Sequence, residues 1–592
     1  MIYEYNINCP RLPFPTLCFA SHTSCNFILH RRTGKMTPPG SVRLIGQNGT
    51  IISYPKPTDD YDDPLNWSLR RKSIHFGVIL VYISVTFASV DLSLLRLRDM
   101  RLAADLGMDV PQLAISASFR YIGMALAAIV SVPLAYKYGR RPAYLASLLV
   151  QLSAAVWMAL VRRPWEYRAA NCLGGAGAVV AQALVPMTIT DLFFVHQFAT
   201  VYGLAVFAQG VGCFVGPILA AEIVSSSQGQ DWRWMPWAMA VTFGATAVLV
   251  LLGAEESTFV PNIDNLVAAK TREAEERINN DTFYNRRVSC ALDDEDDLRN
   301  TMSPEDYDMM DLVNINRAAG SPAVPDLPPG PRPLRQRFAF VTPTGRPIRR
   351  RFLSAFVILA TFPGVIYAAL TYGFLMAWLS LFIQVVQTQM TQPPYDLDRR
   401  GLALLDLAPL LGHVLGSLVV PPLSDYWIVA KARRSGGVYE PESRLWFALG
   451  GGVFVAAGIL MFGIGIERKA PISILLTSYI LFSFGYGICQ ETSLTYITDC
   501  YHNMIGDAMV GVVFFRNALA VILWFGIMPQ VGPSGVNSAF VFMSIAASVV
   551  VLIPLPLIIW GRKGRALTAR KYREYSLAAT PPTTLKKIMG DS

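Results

Sequence analysis

The chain has 592 residues, 53% of them hydrophobic and only 16% charged, with 51 lysines and arginines against 42 acids. A soluble globular domain carries about 25% charged residues, and here the charge is cleared from long runs and gathered between them, which excludes one soluble fold and indicates a membrane protein. The net charge of +9 does not mark a nucleic-acid binder, because the cations stand at the ends of apolar runs and in "GRKGRALTARKYR", where they suit anionic lipid.

Residues 1–73 read as a polar cytoplasmic tail without the basic region and apolar core of a signal peptide. Met36 opens "MTPPGSVRLIGQNGT", and residues 1–35 read as an upstream extension with Met36 as the working start. Twelve apolar runs follow, near 74–95, 111–135, 141–161, 166–190, 199–224, 232–253, 353–386, 399–424, 445–466, 471–498, 508–530 and 535–560. Each approaches or exceeds the roughly 20 residues that span a bilayer. Residues 254–352 hold "DDEDD" and "SPAVPDLPPGPRP" and read as a largely disordered cytoplasmic loop. That loop divides a six-run half, 74–253, from a second one, 353–560; a basic tail, 561–592, closes the chain.

Orientation follows the cations of the short loops. "YKYGRRP", "KARRSGG" and the tail cations Arg562, Lys563, Arg565, Arg570 and Lys571 place both termini inside, although Arg162, Arg163, Arg399 and Arg400 dilute the bias. An internal repeat supports the division: "VPLAYKYGRRP" follows the second run and "PPLSDYWIVAKARR" the eighth. The expected fold is an all-α membrane protein of twelve transmembrane helices in two pseudo-symmetric halves. The eight cysteines form no CxxC pair, so neither a disulfide framework nor a zinc site is indicated. No phosphate-binding loop and no nucleophile–base spacing stand in the chain, and no enzyme and no cofactor is expected.

The chemistry-bearing stretches are "DDPLNWSLRRK", "YKYGRRP", "DLFFVHQ", "GVGCFVGP", "DWRW", "SGGVYEPESRLW" and "DCYHNMIGDAMVGVVFFRN". Together with two six-helix halves they resemble the major facilitator superfamily over about residues 60–565, and within it the fungal branch of drug:proton antiporters that includes polyamine and secondary-metabolite exporters.

In "YKYGRRP", Gly139 allows a tight turn. Arg140 and Arg141 suit either an inner gate or an anchor that holds lipid headgroups or caps helix carbonyls. The resemblance implies an acid at Tyr136 that latches the gate, and this chain has none. Asp425 is the counterpart of Tyr136 in the second half. It is expected to gate or cap, pairing with Lys431, Arg433 or Arg434, or else to stand solvated. Gly212, Gly216 and Pro217 match the antiporter motif of the fifth helix; the other reading is a smooth packing face. Asn171 and Gln182 stand where relatives carry an arginine and a glutamate, so they can bind substrate but cannot titrate.

Asp406 and His413 lie two turns apart on one face of the eighth run. Asp406 and Glu491 are the proton-carrier candidates, and His413 reads as either a titrating or a packing residue. Arg516 in an apolar stretch needs a counter-ion, and Asp507, nine positions earlier and roughly 13 Å along the helix, is too far to serve. Tyr367, Tyr372 and Tyr496 join Asn171, Gln182 and Glu491 as candidate substrate contacts; the other reading of the aromatics is lipid-facing. The candidate gating and coupling set is Gly139, Arg140, Arg141, Gly212, Gly216, Pro217, Asp406, His413, Asp425, Asp507 and Arg516.

The function expected from these features is proton-coupled export of a small organic molecule, preferably a neutral or apolar drug or secondary metabolite, by a monomer in the plasma membrane. The alternatives are a facilitated-diffusion carrier, a polyamine transporter and a solute sensor that does not transport.

Overall fold

The computed structural model describes residues 38–46, 49–58, 63–95, 100–226, 232–259, 349–397, 399–526 and 536–578. The proposed extension 1–35 and most of the central loop lie outside the described residues.

Entry into the first helix is set by "DDPLNW". Asp63 accepts from the Leu65 amide at 2.9 Å and the Thr58 hydroxyl at 2.8 Å, which seeds a short 3-10 turn at Pro64–Asn66. Helix α1 follows, Leu69–Leu95. A short helix not foreseen in the sequence, α2 (Met100–Leu106), leads to α3 (Val110–Tyr138). Helix α3 ends at Gly139, whose φ of 111° lies in a region that side chains disfavour, and α4 (Arg140–Ala159) starts at once. The fourth crossing is divided at Leu184, just before Pro186, into α5 (Pro164–Ala183) and α6 (Val185–Leu192). Helices α7 (Phe198–Ser226) and α8 (Trp234–Gly253) complete the first half.

In the second half, α9 (Arg349–Thr361) meets α10 (Pro363–Gln389) at a break beside Pro363, so the seventh run is two helices rather than one. The eighth run is three helices, α11 (Arg399–Leu405), α12 (Leu407–Leu418) and α13 (Val420–Arg434), interrupted at Asp406 and Val419. Asp406 is a half-buried junction residue whose carbonyl still accepts from the Leu410 amide at 3.3 Å. Helices α14 (Leu445–Glu467), α15 (Ile472–Cys500), α16 (Ile505–Gly526), α17 (Val536–Leu552) and α18 (Pro554–Ala578) follow. Among the described residues, twelve spans are long and apolar enough to cross a membrane. The even number brings both chain ends to one end of the bundle, called here the terminal end.

The halves share a packing rule. Helix α3 lies so close to α5 that a Cβ on Gly123 would come within 1.9 Å of the Cys172 carbonyl oxygen; likewise a Cβ on Gly412 of α12 would meet the Ile480 oxygen of α15 at 2.2 Å. The halves meet along α7 against α12 and α13, and along α3 against α16.

Two polar stretches fold onto the terminal end. Strand β1 (Val42–Arg43) pairs antiparallel with β2 (Val438–Tyr439). Gly40, at φ 84°, sits against the Asp499 carbonyl where a Cβ would come within 2.6 Å. The tail cation Arg565 does not face lipid as its sequence context implied. It is buried, with Nη2 2.7 Å from both Glu440 and Glu442 and a further bond to the Pro39 carbonyl. One face of α18 turns it inward, while Arg562, Lys563, Arg570 and Lys571 remain exposed.

Candidate functional site

The terminal end is closed by two latches that mirror each other. The first is built on Asp425 near the end of the eighth crossing. Its carboxylate accepts from the amides of Ala199 (3.2 Å) and Thr200 (2.8 Å) and from the Thr200 hydroxyl (2.7 Å), at the first turn of α7 in the other half. A carboxylate there meets unsatisfied N–H groups and the positive end of the helix dipole. Arg444, fully buried, donates to Asp425 at 2.9 Å, to Asp499 at 2.7 Å and to the Val195 carbonyl at 3.0 Å. The Tyr439 hydroxyl donates to Asp499 at 2.5 Å. The cationic partner of Asp425 is thus Arg444, not the predicted Lys431, Arg433 or Arg434. The last two point outward from the end of α13, while Arg444 enters from the start of α14.

The second latch is built on Tyr136, the position without an acid. The Arg351 guanidinium lies 3.9 Å above the centre of its ring, and Arg140 lies 5.3 Å away on the same ring. Arg351 also reaches Asp507 on α16 at 3.4 Å. A Cβ on Gly506 would lie 2.4 Å from the Tyr136 hydroxyl, so the end of α3 rests on the start of α16 as the end of α13 rests on the start of α7. The ring's π face takes the place of a carboxylate, and Asp507 supplies the formal charge.

Arg140 and Arg141 are buried in the protein rather than spread toward headgroups, and of the two anchor alternatives Arg141 takes the carbonyl cap. Arg140 pairs with Asp191 at 3.2 Å. The Arg141 Nη2 donates to the Leu251 carbonyl at 2.6 Å, capping α8. Glu256 accepts the Arg140 and Arg141 backbone amides at 2.9 and 3.1 Å and caps α4. A polar cavity of about 180 Å³ lies beside this latch, with Tyr136, Arg140, Asp191 and His502 in its wall.

Deeper in the bundle, further polar contacts among the described residues cross between the halves, Tyr121 to Ser380 at 3.2 Å among them. Tyr202 and Thr498 share a bond of 2.7 Å between hydroxyls. His413 Nε2 lies 2.8 Å from the Val206 carbonyl, and a Cβ on Gly210 would strike its ring, so His413 is a packed bridge between α12 and α7. Gln490 Nε2 donates to Gln209 Oε1 at 2.7 Å and to the Tyr372 hydroxyl at 2.9 Å. Asn517 Nδ2 lies 3.4 Å from Gln182 Oε1. Arg516 lies over the Tyr372 ring, 4.5 Å from its centre. A small central cavity of about 30 Å³ is walled by Phe87, Gln182, Tyr202, Gln209, Tyr372 and Leu494.

Of the predicted substrate contacts, Gln182 and Tyr372 meet at this cavity. Asn171 is buried eleven positions away on α5, where its amide donates to the Tyr167 carbonyl at 3.1 Å. Tyr367 and Tyr496 pack edge to face inside the second half and do not line the central cavity. Glu491 is buried and accepts from the Thr495 hydroxyl at 2.7 Å and the Thr492 hydroxyl at 3.2 Å. Gly212 and Gly216 face α1: a Cβ on Gly212 would lie 2.2 Å from the Ser84 carbonyl. Pro217 is buried inside an unbroken α7. Sequence reasoning missed Gln209, Gln490, Arg351 and Arg444. The two glutamines carried the same signal that singled out Gln182, an amide inside an apolar run; Arg444 sat unremarked in "PESRLW".

The model of the family described as Major Facilitator Superfamily matches residues 74–525. An uncharacterised MFS-type transporter of Schizosaccharomyces pombe is 26% identical over 541 residues, 89% of this chain and 90% of that protein. Protein HOL1 of Saccharomyces cerevisiae is 24% identical over 545 residues, covering 88% and 91%. Among solved structures, the proton:xylose symporter XylE, bound to 6-bromo-6-deoxy-D-glucose, aligns with a TM-score of 0.52 at 14% identity, covering 82% of this chain and 96% of that one.

Proposed function

The chain belongs to the major facilitator superfamily, and from that premise we propose that it is a proton-coupled secondary carrier that exports a small organic molecule by alternating access. One observation carries the reading: a polar set from both halves, Gln182, Gln209, Tyr372, Gln490 and Asn517, is buried at the middle of the seam behind latches that join the halves at the terminal end. In this architecture substrate binds at the middle while one half rocks against the other. Each latch rests a side chain of one half on a helix start in the other, so it breaks when the halves part.

Glu491 is the proposed proton carrier. It is a buried carboxyl in the tenth crossing that accepts from the Thr492 and Thr495 hydroxyls, which can bond either its charged or its neutral form. Exchange then proceeds as protonation of Glu491 and release of substrate on opposite faces. In this reading the terminal end is cytoplasmic and the membrane is the plasma membrane.

Counterflow and efflux from proteoliposomes, at varied pH and with a protonophore, test it. Flux that collapses with the proton gradient, and a Glu491→Gln variant that binds and exchanges without pH dependence, are expected. Binding without any flux overturns the carrier in favour of a sensor; flux indifferent to pH removes the proton and leaves facilitated diffusion.

A further inference from the structure

We propose that Arg516 is the anchor for a negatively charged substrate group, so that the cargo is an organic carboxylate carrying a hydroxyl or N–H donor on an apolar body. The inference rests on the carrier reading above and gives its site a substrate class.

Arg516 is fully buried in the interior of α16. Its Nε, Nη1 and Nη2 have no hydrogen-bond partner, and it forms no ion pair with any described residue. The other buried arginines of the second half differ: Arg351 holds Asp507, Arg444 holds Asp425 and Asp499, and Arg565 holds Glu440 and Glu442. A guanidinium cannot shed its proton to escape an apolar setting. A buried charge without a partner is strongly unfavourable, and ionisable groups at membrane depth mark substrate or ion pathways. Tyr372 compensates one face of the guanidinium only. The five N–H groups lie in the guanidinium plane, a fork that matches the two oxygens of a carboxylate.

Two acceptors among the buried amides at the seam are also unmet. The Gln490 side chain donates to the Tyr372 hydroxyl, yet its own Oε1 has no partner; Asn517, next to Arg516, has an unpartnered Oδ1. The site thus offers a cation and two acceptors, which calls for an anion with a nearby donor. Tyr372, over whose ring Arg516 lies, also lines the central cavity, whose walls Ile83, Phe87, Val185 and Leu494 suit an apolar body. This replaces the neutral cargo preferred from sequence and disfavours a polyamine, whose charges would meet Arg516 with the same sign. A bound anion would also act on the seam, because Arg516 rests on Tyr372, Tyr372 accepts from Gln490, and Gln490 donates to Gln209 of the other half.

The test uses the full chain in phosphatidylcholine nanodiscs and chloride-poor buffer. Lactate, mandelate and 3-phenyllactate are titrated against their amides, against phenethylamine, and against chloride and inorganic phosphate, with the melting temperature as readout. Saturable stabilisation of roughly 2–5 °C by a carboxylate and not by its amide is expected. Arg516→Gln should lose that shift, and Arg516→Lys should keep part of it. A second arm needs no ligand: without anions, Arg516→Gln should melt at or above the wild type, because it removes an uncompensated charge.

A melting temperature below the wild type in Arg516→Gln overturns the proposal, since the charge would then be satisfied within the protein. So does the absence of any carboxylate-specific shift, a shift retained in Arg516→Gln, or equal stabilisation by chloride or phosphate. Carboxylate binding without counterflow would sink the carrier reading and keep the site. Counterflow of amide or amine with carboxylate ignored would sink the site and keep the carrier.

Discussion

Asp425→Asn is the sharpest probe of the closed terminal end. Asparagine keeps the size of the side chain but loses its charge, and it turns one acceptor oxygen into an NH₂ that faces donors. The wild-type carboxylate accepts three bonds from the start of α7, at 2.7–3.2 Å, and one from Arg444 at 2.9 Å. A partly buried carboxylate at a helix N-terminus stabilises by up to about 2 kcal/mol. Removing one partner of a buried, hydrogen-bonded ion pair costs about 3–5 kcal/mol. Arg444 keeps Asp499, so the lower bound applies, about 3 kcal/mol. Three of the four bonds join the halves, so the loss falls mainly on the closed arrangement and shifts the closed-to-open ratio by roughly a hundredfold. Nitroxides placed by Arg70→Cys and Arg433→Cys, one exposed site on each half, report the separation by double electron–electron resonance in a background without the eight native cysteines. The variant should populate longer distances and transport more slowly. An unchanged distance distribution with a lowered melting temperature would refute the latch and leave Asp425 a helix cap.

Tyr136→Phe should preserve the Arg351 contact of the second latch, because the ring face receives Arg351, whereas Tyr136→Ala should open it and lower transport several-fold; the same spin-label pair reads both. Gly210→Ala places a Cβ 2.0 Å from the His413 ring and should abolish the approach of α7 to α12, while Gly244→Ala, which meets open space, should leave transport and melting temperature unchanged. Asp105 lies outside the spans, and bonds from the Trp232 indole and Arg233 hold its carboxyl below the usual carboxylate range. Its contribution to stability is therefore complete above the ordinary carboxylate value and lost as pH falls through the lowered one. Asp105→Asn should flatten only the acid side of the melting curve, and an altered profile between pH 6 and 8 would contradict this.

The twelve crossings were legible because hydropathy reports length and composition, the quantities that decide whether a helix can sit in lipid. The breaks at Asp406, Val419 and Phe362 were not, since a run stays apolar whether or not its helix is continuous. The latch residues were legible singly and illegible as pairs. Asp425 reads as an acid among loop cations, and nothing in sequence says that Arg444 folds back to it while its neighbours point to water. Tyr136 looked like a loss of function when read against an expected carboxylate. Its π face became visible as a substitute only once Arg351, more than two hundred positions away, was placed above it. Arg516 was recognised as a cation in need of a counter-ion, and the fold sharpened that by showing that the protein supplies none among its described residues.

The strand pair at the terminal end is also a length limiter. Residues 39–44 are tied to the second half through Arg565, Glu440 and the carbonyl of Gly437. Tyr54 is tied to the first half, where its carbonyl accepts from the Val195 amide at 2.9 Å. Between those anchors the chain doubles back on itself, with Ile45 bridged to Ile51 and the Ile52 amide donating to Leu44 at 2.8 Å. While that small loop holds, the tie is short; pulled straight, ten residues from Leu44 to Tyr54 reach at most about 35 Å. In the carrier reading, rocking halves would therefore pull on a tether whose slack is held in that bridged loop. In that reading, inserting a few residues between Gly46 and Thr50 would widen the stroke and deleting there would shorten it, so the amplitude of the cycle would be set outside the twelve candidate spans.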